Sequence, residues 1–318
     1  MKSQDPIELI TLHPLAQLGF VPDEPMEFYH ESRAIGHSSV HDFITRGPAF
    51  WFHKYMARLP NNESSDSLDF GSAFHAAILE PQRFEKDYVI APDGMKFNTK
   101  DGRIWKKEKE EQGQHIIRGQ DAMRINLMKR GLYENEDAKM LLESADLREI
   151  TLRMQIGKLP LQCRFDAWMH PSRKVELPMG WQHDGAISID IKTCSRLFGD
   201  GPGTWARNFH IFGYHRNAAF YSMMAREFLG KTDAYYRSPI GTVPHVFIVC
   251  EREAPYECAV FVPNAEAIAI GQNEVGHALN QITNCLMLNE WRSASTGVTE
   301  IGLPNWYQDY VPNEISQY

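Results

Sequence analysis

Between residues 147 and 262, hydrophobic positions follow the two-residue alternation that is typical of β-strands. Three runs alternate in this way, namely LREITLRMQI, LQCRFDAWMH and AISIDIKTC, and turn residues including Pro and Gly separate the last two. Two more apolar runs, HVFIVCE and ECAVFVP, are joined by REAPY and predict a hairpin. Before this hairpin, FHIFGYHRNAAFYSMMAREFLG predicts a helix that ends near Gly230. The order predicts a βββ–α–ββ core from residue 148 to 262 in an α/β or α+β fold.

Helical periodicity dominates the chain on both sides of this core. The stretch HSSVHDFITRGPAFWFHKYMARL predicts two helices with a Gly-Pro break between them, and SLDFGSAFHAAILEPQRF predicts a helix that stops near Pro81. Further helices are expected over DAMRINLMKRGLYENEDAKMLLES and NAEAIAIGQNEVGHALNQITNCLMLNEW. Residues 93–118 are polar and highly charged, which favours a solvated insertion.

The chain has 318 residues and is 43% hydrophobic, which is enough for one sizeable core. We therefore predict a single domain over residues 1–318. Its expected parts are a helical lead-in (1–65), helices with the charged insertion (66–147), the core (148–262), and a C-terminal helix and tail (263–318).

Two charged residues interrupt the otherwise apolar run AISIDIKTC. Because strand side chains alternate between faces, the isoleucines share one face, whereas Asp190 and Lys192 share the other, about 6.8 Å apart at Cα. In LQCRFDAWMH, the same rule puts Phe165 and Ala167 on one face and Asp166 on the other. If the two strands pair in antiparallel fashion, Asp166 and Asp190 lie close together.

Two neighbouring carboxylates repel each other, and burial of either is costly unless a cation compensates for it. Oxygen ligands suit a hard ion such as Mg²⁺ or Mn²⁺. Glu149, in the preceding strand, could join the acidic group through a metal-bound water. His75, in GSAFHAAILE, is a good metal ligand when it is neutral. The alternatives are a surface ion pair for Asp-x-Lys and, for His75, a core or boundary histidine within a helix.

The predicted helix that contains HRNAAFY (residues 215–221) presents polar and aromatic groups on one face. Helical spacing puts Tyr214, Asn217 and Tyr221 together. One interpretation is a face that contacts DNA or orders water beside the metal, and the other is an amphipathic face with aromatic packing.

The net charge of −8 and the pI near 5.9 argue against a generally basic nucleic-acid-binding protein. A local channel could nevertheless collect arginines while the exterior stays acidic. The candidates are Arg83, Arg164, Arg196, Arg207 and Arg216. Arg216, next to Asn217, is the foremost candidate for DNA contact, and a solvated helix charge is the alternative.

Five cysteines occur without a CxxC pair, which favours reduced thiols in a cytoplasmic protein. The first residues lack the apolar segment of a signal peptide, and no run approaches the ~18 apolar residues of a membrane span. The absence of G-x-S-x-G and Walker A motifs argues against a nucleophilic hydrolase or an ATP-driven enzyme.

Taken in order, the motifs resemble those of the PD-(D/E)XK nuclease superfamily, and more closely the exonuclease VIII (RecE-like) family of phage and prophage recombination exonucleases. The resemblance covers roughly residues 30 to 310. It is carried by the following stretches: HSSVHDFITRGPAFWF, LDFGSAFHAAILEPQRFEKDYVIAP, LREITL, CRFDAW, IDIKT, FGYHRNAAFY, VFIVCEREAPYECAVF and GLPNWYQDY. It implies a restriction-endonuclease-like core with a central mixed sheet flanked by helices.

The resemblance also implies roles for individual residues. The metal ligands would be His75, Asp166, Asp190 and the backbone carbonyl of Ile191. Lys192 would orient or deprotonate the attacking water, with Glu149 supporting the metal site and Tyr221 positioning the nucleophile or the scissile phosphate. Asn217 stands where the family usually has Gln and is one methylene shorter. Further DNA contacts are expected from Arg164, Tyr214 and Arg216.

The activity implied by the family is Mg²⁺- or Mn²⁺-dependent 5′→3′ hydrolysis of linear double-stranded DNA. It would leave 3′ single strands for a single-strand annealing protein, and a ring-like homo-oligomer would encircle the DNA. The alternatives are a PD-(D/E)XK endonuclease of other specificity and a catalytically inactive DNA-binding or assembly module. A relative with a four-cysteine iron–sulfur cluster is disfavoured by the dispersed cysteines.

Overall fold

In the computed structural model, the described residues are 12–13, 16–58, 66–199, 201–238, 241–293, 298 and 300–302, with the backbone alone for 66–69. Of GLPNWYQDY, all but Gly302 lies outside them. The strands are β1 (Gly19–Val21), β2 (Tyr88–Ile90), β3 (His115–Ile117), β4 (Leu147–Ile156), β5 (Leu159–Met169), β6 (Lys174–Glu176), β7 (Gln182–Asp184), β8 (Ile187–Cys194), β9 (His245–Glu251) and β10 (Cys258–Phe261).

The helices are α1 (Met26–Glu31), α2 (His37–Trp51), α3 (Asp66–Leu79), α4 (Pro81–Asp87), α5 (Lys100–Glu111), α6 (Gly119–Glu134), α7 (Glu136–Glu143), α8 (Trp205–Ile211), α9 (Tyr214–Leu229), α10 (Ala234–Arg237) and α11 (Ala265–Leu288). A π-helical turn, Phe52–Met56, extends α2. Within the described residues, no helix is both long and apolar enough to cross a bilayer.

Six strands form one mixed sheet in the order β1-β4-β5-β8-β9-β10. Neighbouring strands are antiparallel except for β8 and β9, which are parallel. A parallel pair needs a long crossover, and the segment with α8 and α9 provides it. The predicted mixed sheet flanked by helices is confirmed.

Two apolar layers cover the sheet. On one face, α3, α6 and α7 pack against β8 and β9 through a cluster that includes Ile187, Ile189 and Ile191, each 0% exposed. On the other face, α2, α9 and α11 pack against β4 and β5. The isoleucines of β8 therefore share one face, as predicted, and leave Asp190 and Lys192 on the side of α9.

Three predicted helical stretches are interrupted or divided, each at a residue that caps or breaks a helix. Gly47 has φ 84° before Pro48, so α2 contains the predicted Gly-Pro break. The helix predicted over residues 121–144 is two helices, because the Asn135 side chain accepts from the Ala138 N–H and starts α7. The helix predicted over residues 209–230 is also divided, since Gly213 adopts a left-handed conformation between α8 and α9.

Several elements were not predicted from the periodicity. The charged stretch 93–118 contains α5 and β3, and the turn region between β5 and β8 contains the β6–β7 hairpin. β1 joins the main sheet beside β4. The missed strands have three residues each, which is too few to establish an alternation. The 12-residue helix α5 has few apolar residues, so its sequence shows no clear helical period.

The alternation along β5 changes phase at Asp166. Phe165 packs in the cluster on the α9 side, with Trp168, whereas Ala167 packs on the α3 side. The prediction that Phe165 and Ala167 share a face is therefore wrong. Opposite Asp166, Glu149 has φ 47°, a left-handed conformation that interrupts the regular twist of β4 where the phase changes.

A buried ion pair ties the N-terminal segment to the sheet. Arg153 of β4 is 0% exposed, and its Nη2 donates to both carboxylate oxygens of Glu24 at 2.9 and 3.0 Å. The same guanidinium donates to Oε1 of Gln162. Removal of one partner would leave a buried charge without compensation.

We predict that Glu24→Ala lowers the free energy of unfolding by about 3–5 kcal/mol, because Arg153 would lose its counter-charge in the interior. Urea denaturation followed by circular dichroism measures the change. Glu27→Ala removes an exposed carboxylate nearby and serves as the control. Equal denaturation midpoints for the two variants would contradict the assignment.

Candidate active site at a fork in the sheet

Strands β5 and β8 separate where two aspartates face each other. Their antiparallel pairing covers Ala167–Met169 and Ile187–Ile189. The next pair in this register would be Asp166 with Asp190. Here the Asp166 side chain, instead of a backbone carbonyl of β5, accepts the hydrogen bond from β8. The Ile191 N–H donates to Oδ2 of Asp166 at 2.7 Å. The result is a fork in the sheet, lined by Asp166 and Asp190.

Glu149 approaches the fork from β4. It lies opposite Asp166 but is skipped in the ladder, which pairs its two neighbours with Phe165 and Ala167. A left-handed backbone at a non-glycine residue costs of order 1–3 kcal/mol and persists only when the surroundings enforce it. Here the Arg164 Nε donates to Oε2 of Glu149 at 2.8 Å and holds the carboxylate beside Asp166.

His75 reaches the fork from α3. Its neighbours Phe74, Ala77 and Ile78 are buried in the apolar cluster beneath the sheet. The Nδ1 atom of His75 lies 3.4 Å from Oδ2 of Asp166. One ligand atom each from His75, Glu149 and Asp166 lies within 4.8 Å of the others. Opposite ligands of Mg²⁺ are about 4.2 Å apart, so small movements would bring all three to one ion.

The fork holds more acidic than basic groups. Three carboxylates, those of Glu149, Asp166 and Asp190, share it with the cations of Arg164 and Lys192. Burial raises the pKa of Asp166 well above its usual range, and the nearby Asp190 carboxylate raises it further. Burial also raises the pKa of Glu149, although Arg164 opposes the shift. A further cation would relieve this excess of negative charge.

Asp190 and Lys192 form an ion pair on the side of the sheet that faces α9. Burial raises the pKa of Asp190, but the Lys192 ammonium and His245 outweigh it, so the net shift is downward. Burial lowers the pKa of Lys192, and the carboxylates of Asp190 and Asp166 more than compensate, so the net shift is upward. The pair is therefore ionised at neutral pH.

The protonation state of His75 suits coordination of a metal. Burial and the Lys192 ammonium lower its pKa to about 4, although Asp190 and the Ile191 backbone oppose the shift. The imidazole is consequently neutral at pH 7 and keeps a nitrogen lone pair. One neutral nitrogen, two carboxylates and an unbalanced negative charge fit a hard divalent cation.

Helices α9 and α2 cover the fork on the Lys192 side. The Lys192 Nζ lies 5.7 Å from the centre of the Tyr214 ring. The Tyr221 ring contacts His245 at 4.9 Å between ring centres. The Asn217 Nδ2 lies 3.4 Å from Nδ1 of His37, so Asn217 contacts a histidine that sequence reasoning did not consider.

Two of the arginines predicted to contact DNA are buried and paired with carboxylates. Arg164 is 8% exposed and donates to Glu149 and to the Glu24 carbonyl, so its guanidinium supports the fork from within. Arg216 is 7% exposed, and its Nε lies 3.5 Å from Oε2 of Glu274. Burial also excludes the alternative of a solvated helix charge for Arg216.

His245 is a component of the site that the sequence did not reveal. It is 1% exposed, with Nδ1 2.8 Å from the Ser188 hydroxyl and Nε2 3.5 Å from Oδ2 of Asp190. These contacts require β9 to lie parallel to β8 with Ser188 opposite His245. The run HVFIVCE indicates a strand but not its partner or register, so no local signal identified this histidine.

The structure thus brings together His75, Glu149, Asp166, Asp190, Ile191 and Lys192 at the fork, with Tyr214 and Tyr221 beside them. Glu149 was predicted to support the metal site, but its carboxylate lies as one of a group of three potential ligands with His75 and Asp166. Asp190 lies with Lys192 and His245.

Comparisons with known proteins concern nearly the whole chain. The model of a family described as "PDDEXK-like domain of unknown function (DUF3799)" matches residues 46–300. A crystal structure from Eubacterium rectale, described as a "Putative exonuclease", is similar with a TM-score of 0.55. The two chains are 10% identical, and the likeness covers 92% of this chain and 100% of that chain. No curated protein matches this chain in sequence.

We predict that His75→Ala, Glu149→Gln and Asp166→Asn each weaken binding of Mn²⁺ on the order of tenfold or more, because each removes a ligand or its charge. Isothermal titration calorimetry measures the affinity. Asp184→Asn removes an exposed carboxylate from β7 and is the matched control. Unchanged affinity in all three variants would show that the cation binds elsewhere.

Proposed function

Because the chain belongs to the PDDEXK-like family, we propose that it is a divalent-metal-dependent nuclease that hydrolyses phosphodiester bonds in DNA. The observation that carries the proposal is the convergence of His75, Asp166 and Glu149 at the fork, with the Asp190–Lys192 pair beside them. The family and the fold support a nuclease, and the chemistry of the donor groups supports a hard cation.

The proposed cation is Mg²⁺ or Mn²⁺, held by His75, Glu149 and Asp166. We keep Asp190 and the Ile191 carbonyl as proposed further ligands. When bound, such an ion polarises a phosphoryl oxygen and lowers the pKa of a coordinated water. Arg164 keeps the Glu149 carboxylate in place through its hydrogen bond.

The protein supplies charge and orientation around the reacting phosphate. Lys192 is assigned to stabilise negative charge on the phosphate and to orient the attacking water, since its ammonium stays charged beside Asp190. His245 and Ser188 fix the Asp190 carboxylate from behind. Tyr221, with a raised pKa that keeps the phenol neutral, can donate a hydrogen bond to the phosphate or the water.

The substrate in this proposal is linear double-stranded DNA, digested 5′→3′ to leave 3′ single strands for recombination. The support is the ordered series of motifs resembling RecE-like exonucleases, together with the fold shared with the Eubacterium rectale protein. The same resemblance supports a ring-like homo-oligomer and a single-strand annealing protein as partner, and the five free cysteines support a cytoplasmic location. Oligomer mass and co-purification with an annealing protein test these parts separately.

We predict that the protein with Mg²⁺ degrades linear duplex DNA from its 5′ ends and leaves circular duplex intact. Lys192→Ala should reduce the rate by about 100-fold or more while DNA binding is retained, because charge stabilisation at the phosphate is lost. End-labelled linear and circular substrates on denaturing gels measure both, and EDTA should stop the reaction.

Lys174→Ala is the matched control, since Lys174 lies on the β6–β7 hairpin with its side chain 68% exposed. Cutting of circles would favour an endonuclease, and release from 3′ ends would reverse the proposed polarity. Binding without cleavage by the wild-type protein would favour the inactive DNA-binding module.

A further inference from the structure

A partly exposed aromatic rim adjoins Lys192. It is formed by residues 196–198 after β8, by the exposed side of α8 and by the turn between α8 and α9. Three large apolar side chains in it are open to solvent, with Phe198 68%, Ile211 52% and Phe212 50% exposed. Exposed apolar side chains beside a candidate active site are candidates for contact with a ligand.

Ring contacts connect this rim to the candidate active site. Phe212 lies 5.8 Å from the Tyr214 ring, which in turn lies 5.7 Å from the Lys192 Nζ. Tyr214 also stacks on the buried Trp205 at 5.1 Å. Phe212 is therefore the exposed end of an aromatic row that begins at the ion pair of the fork.

The turn that presents Phe212 is tightly specified. Gly213 has φ 65°, and a Cβ there would lie 2.5 Å from the Nε of Arg216. A side chain at this position would thus meet both an unfavourable backbone conformation and a steric clash. Arg216 is held in turn by Glu274. The turn between Phe212 and Tyr214 therefore requires glycine at position 213.

The charge of the rim differs from that of the whole protein. Residues 191–217 contain four Lys or Arg and one Asp, whereas the chain as a whole has 33 Lys and Arg against 41 Asp and Glu. Of the four, Lys192 is paired with Asp190 and the buried Arg216 with Glu274. Arg196, Arg207 and His210 are exposed within the rim. Aromatic rings interleaved with cations are the combination by which proteins hold single-stranded nucleic acid.

We propose that Phe212 is a stacking platform for an unpaired base of the DNA strand whose phosphate reaches Lys192. The inference rests on the proposed nuclease function and specifies its substrate as a strand end separated from its complement. A base can lie against the exposed ring only after it has left the duplex stack, while Arg196 and Arg207 attract the backbone. The rim thereby selects frayed or unpaired ends over closed duplex.

The test uses the full chain in EDTA, so that binding is measured without hydrolysis. Fluorescence anisotropy with labelled oligothymidylate should show on the order of tenfold weaker binding for Phe212→Ala. Phe212→Trp should restore binding, and Phe212→Leu should not, because leucine keeps the apolar character but lacks the ring. A 5-iodouracil at the strand end should crosslink to the peptide that contains Phe212.

Met179→Ala is the control for loss of an exposed apolar side chain, since Met179 is 86% exposed between β6 and β7. Circular dichroism and size-exclusion chromatography accompany every variant. Equal binding by Phe212→Ala and wild type would overturn the proposal. Full binding by Phe212→Leu would also overturn it. If the main defect of Phe212→Ala is a changed oligomeric mass, the proposal is likewise wrong and the rim is a protein interface.

The outcomes also separate this proposal from the nuclease assignment. If the wild-type protein hydrolyses DNA but Phe212→Ala binds single strands normally, the platform is wrong and the nuclease stands. If no hydrolysis occurs with any divalent cation but the ring-dependent binding and the crosslink are found, the stacking platform stands and the nuclease assignment fails.

Discussion

The charge balance at the fork between β5 and β8 is the constraint on which this site depends. Three carboxylates are gathered in a largely buried space with two cations, and burial raises the pKa of both Asp166 and Glu149. Buried carboxylates are costly unless they are neutralised. A divalent cation is the simplest compensation, and the neutral His75 together with the carboxylates of Glu149 and Asp166 borders the space that it would occupy.

The architecture of the sheet turns this constraint into a site with two sides. Because the β5–β8 ladder stops at Ala167, the sheet opens and a histidine from the α3 side can meet carboxylates of the strands. On the other side, Lys192 and the rings of α9 face the space where a phosphate would lie. The parallel strand β9 adds His245, which holds Asp190. In the proposed function, the groups assigned to the metal and the group assigned to the phosphate therefore approach the same point from opposite layers.

The main strands and most of the residues at the fork could be predicted from the sequence. The features that could not be predicted depend on contacts between strands that are distant in the chain. Strict alternation in AISIDIKTC placed Asp190 and Lys192 on one face, and the main strands were located from the same signal. The phase change at Asp166 could not be seen, because it depends on the conformation of Glu149 in another strand. Arg164 and Arg216 were expected to contact DNA because a sequence shows charge but not burial. His245 was missed since the partner of a strand is set by the fold.

The most direct test of the central claim is anomalous X-ray diffraction from crystals of the protein soaked in Mn²⁺. The account predicts a manganese peak at the fork, within coordination distance of His75, Glu149 and Asp166. Absence of manganese from the fork, with strong sites elsewhere in the crystal, would show that the buried charges are balanced without a metal and would contradict the account.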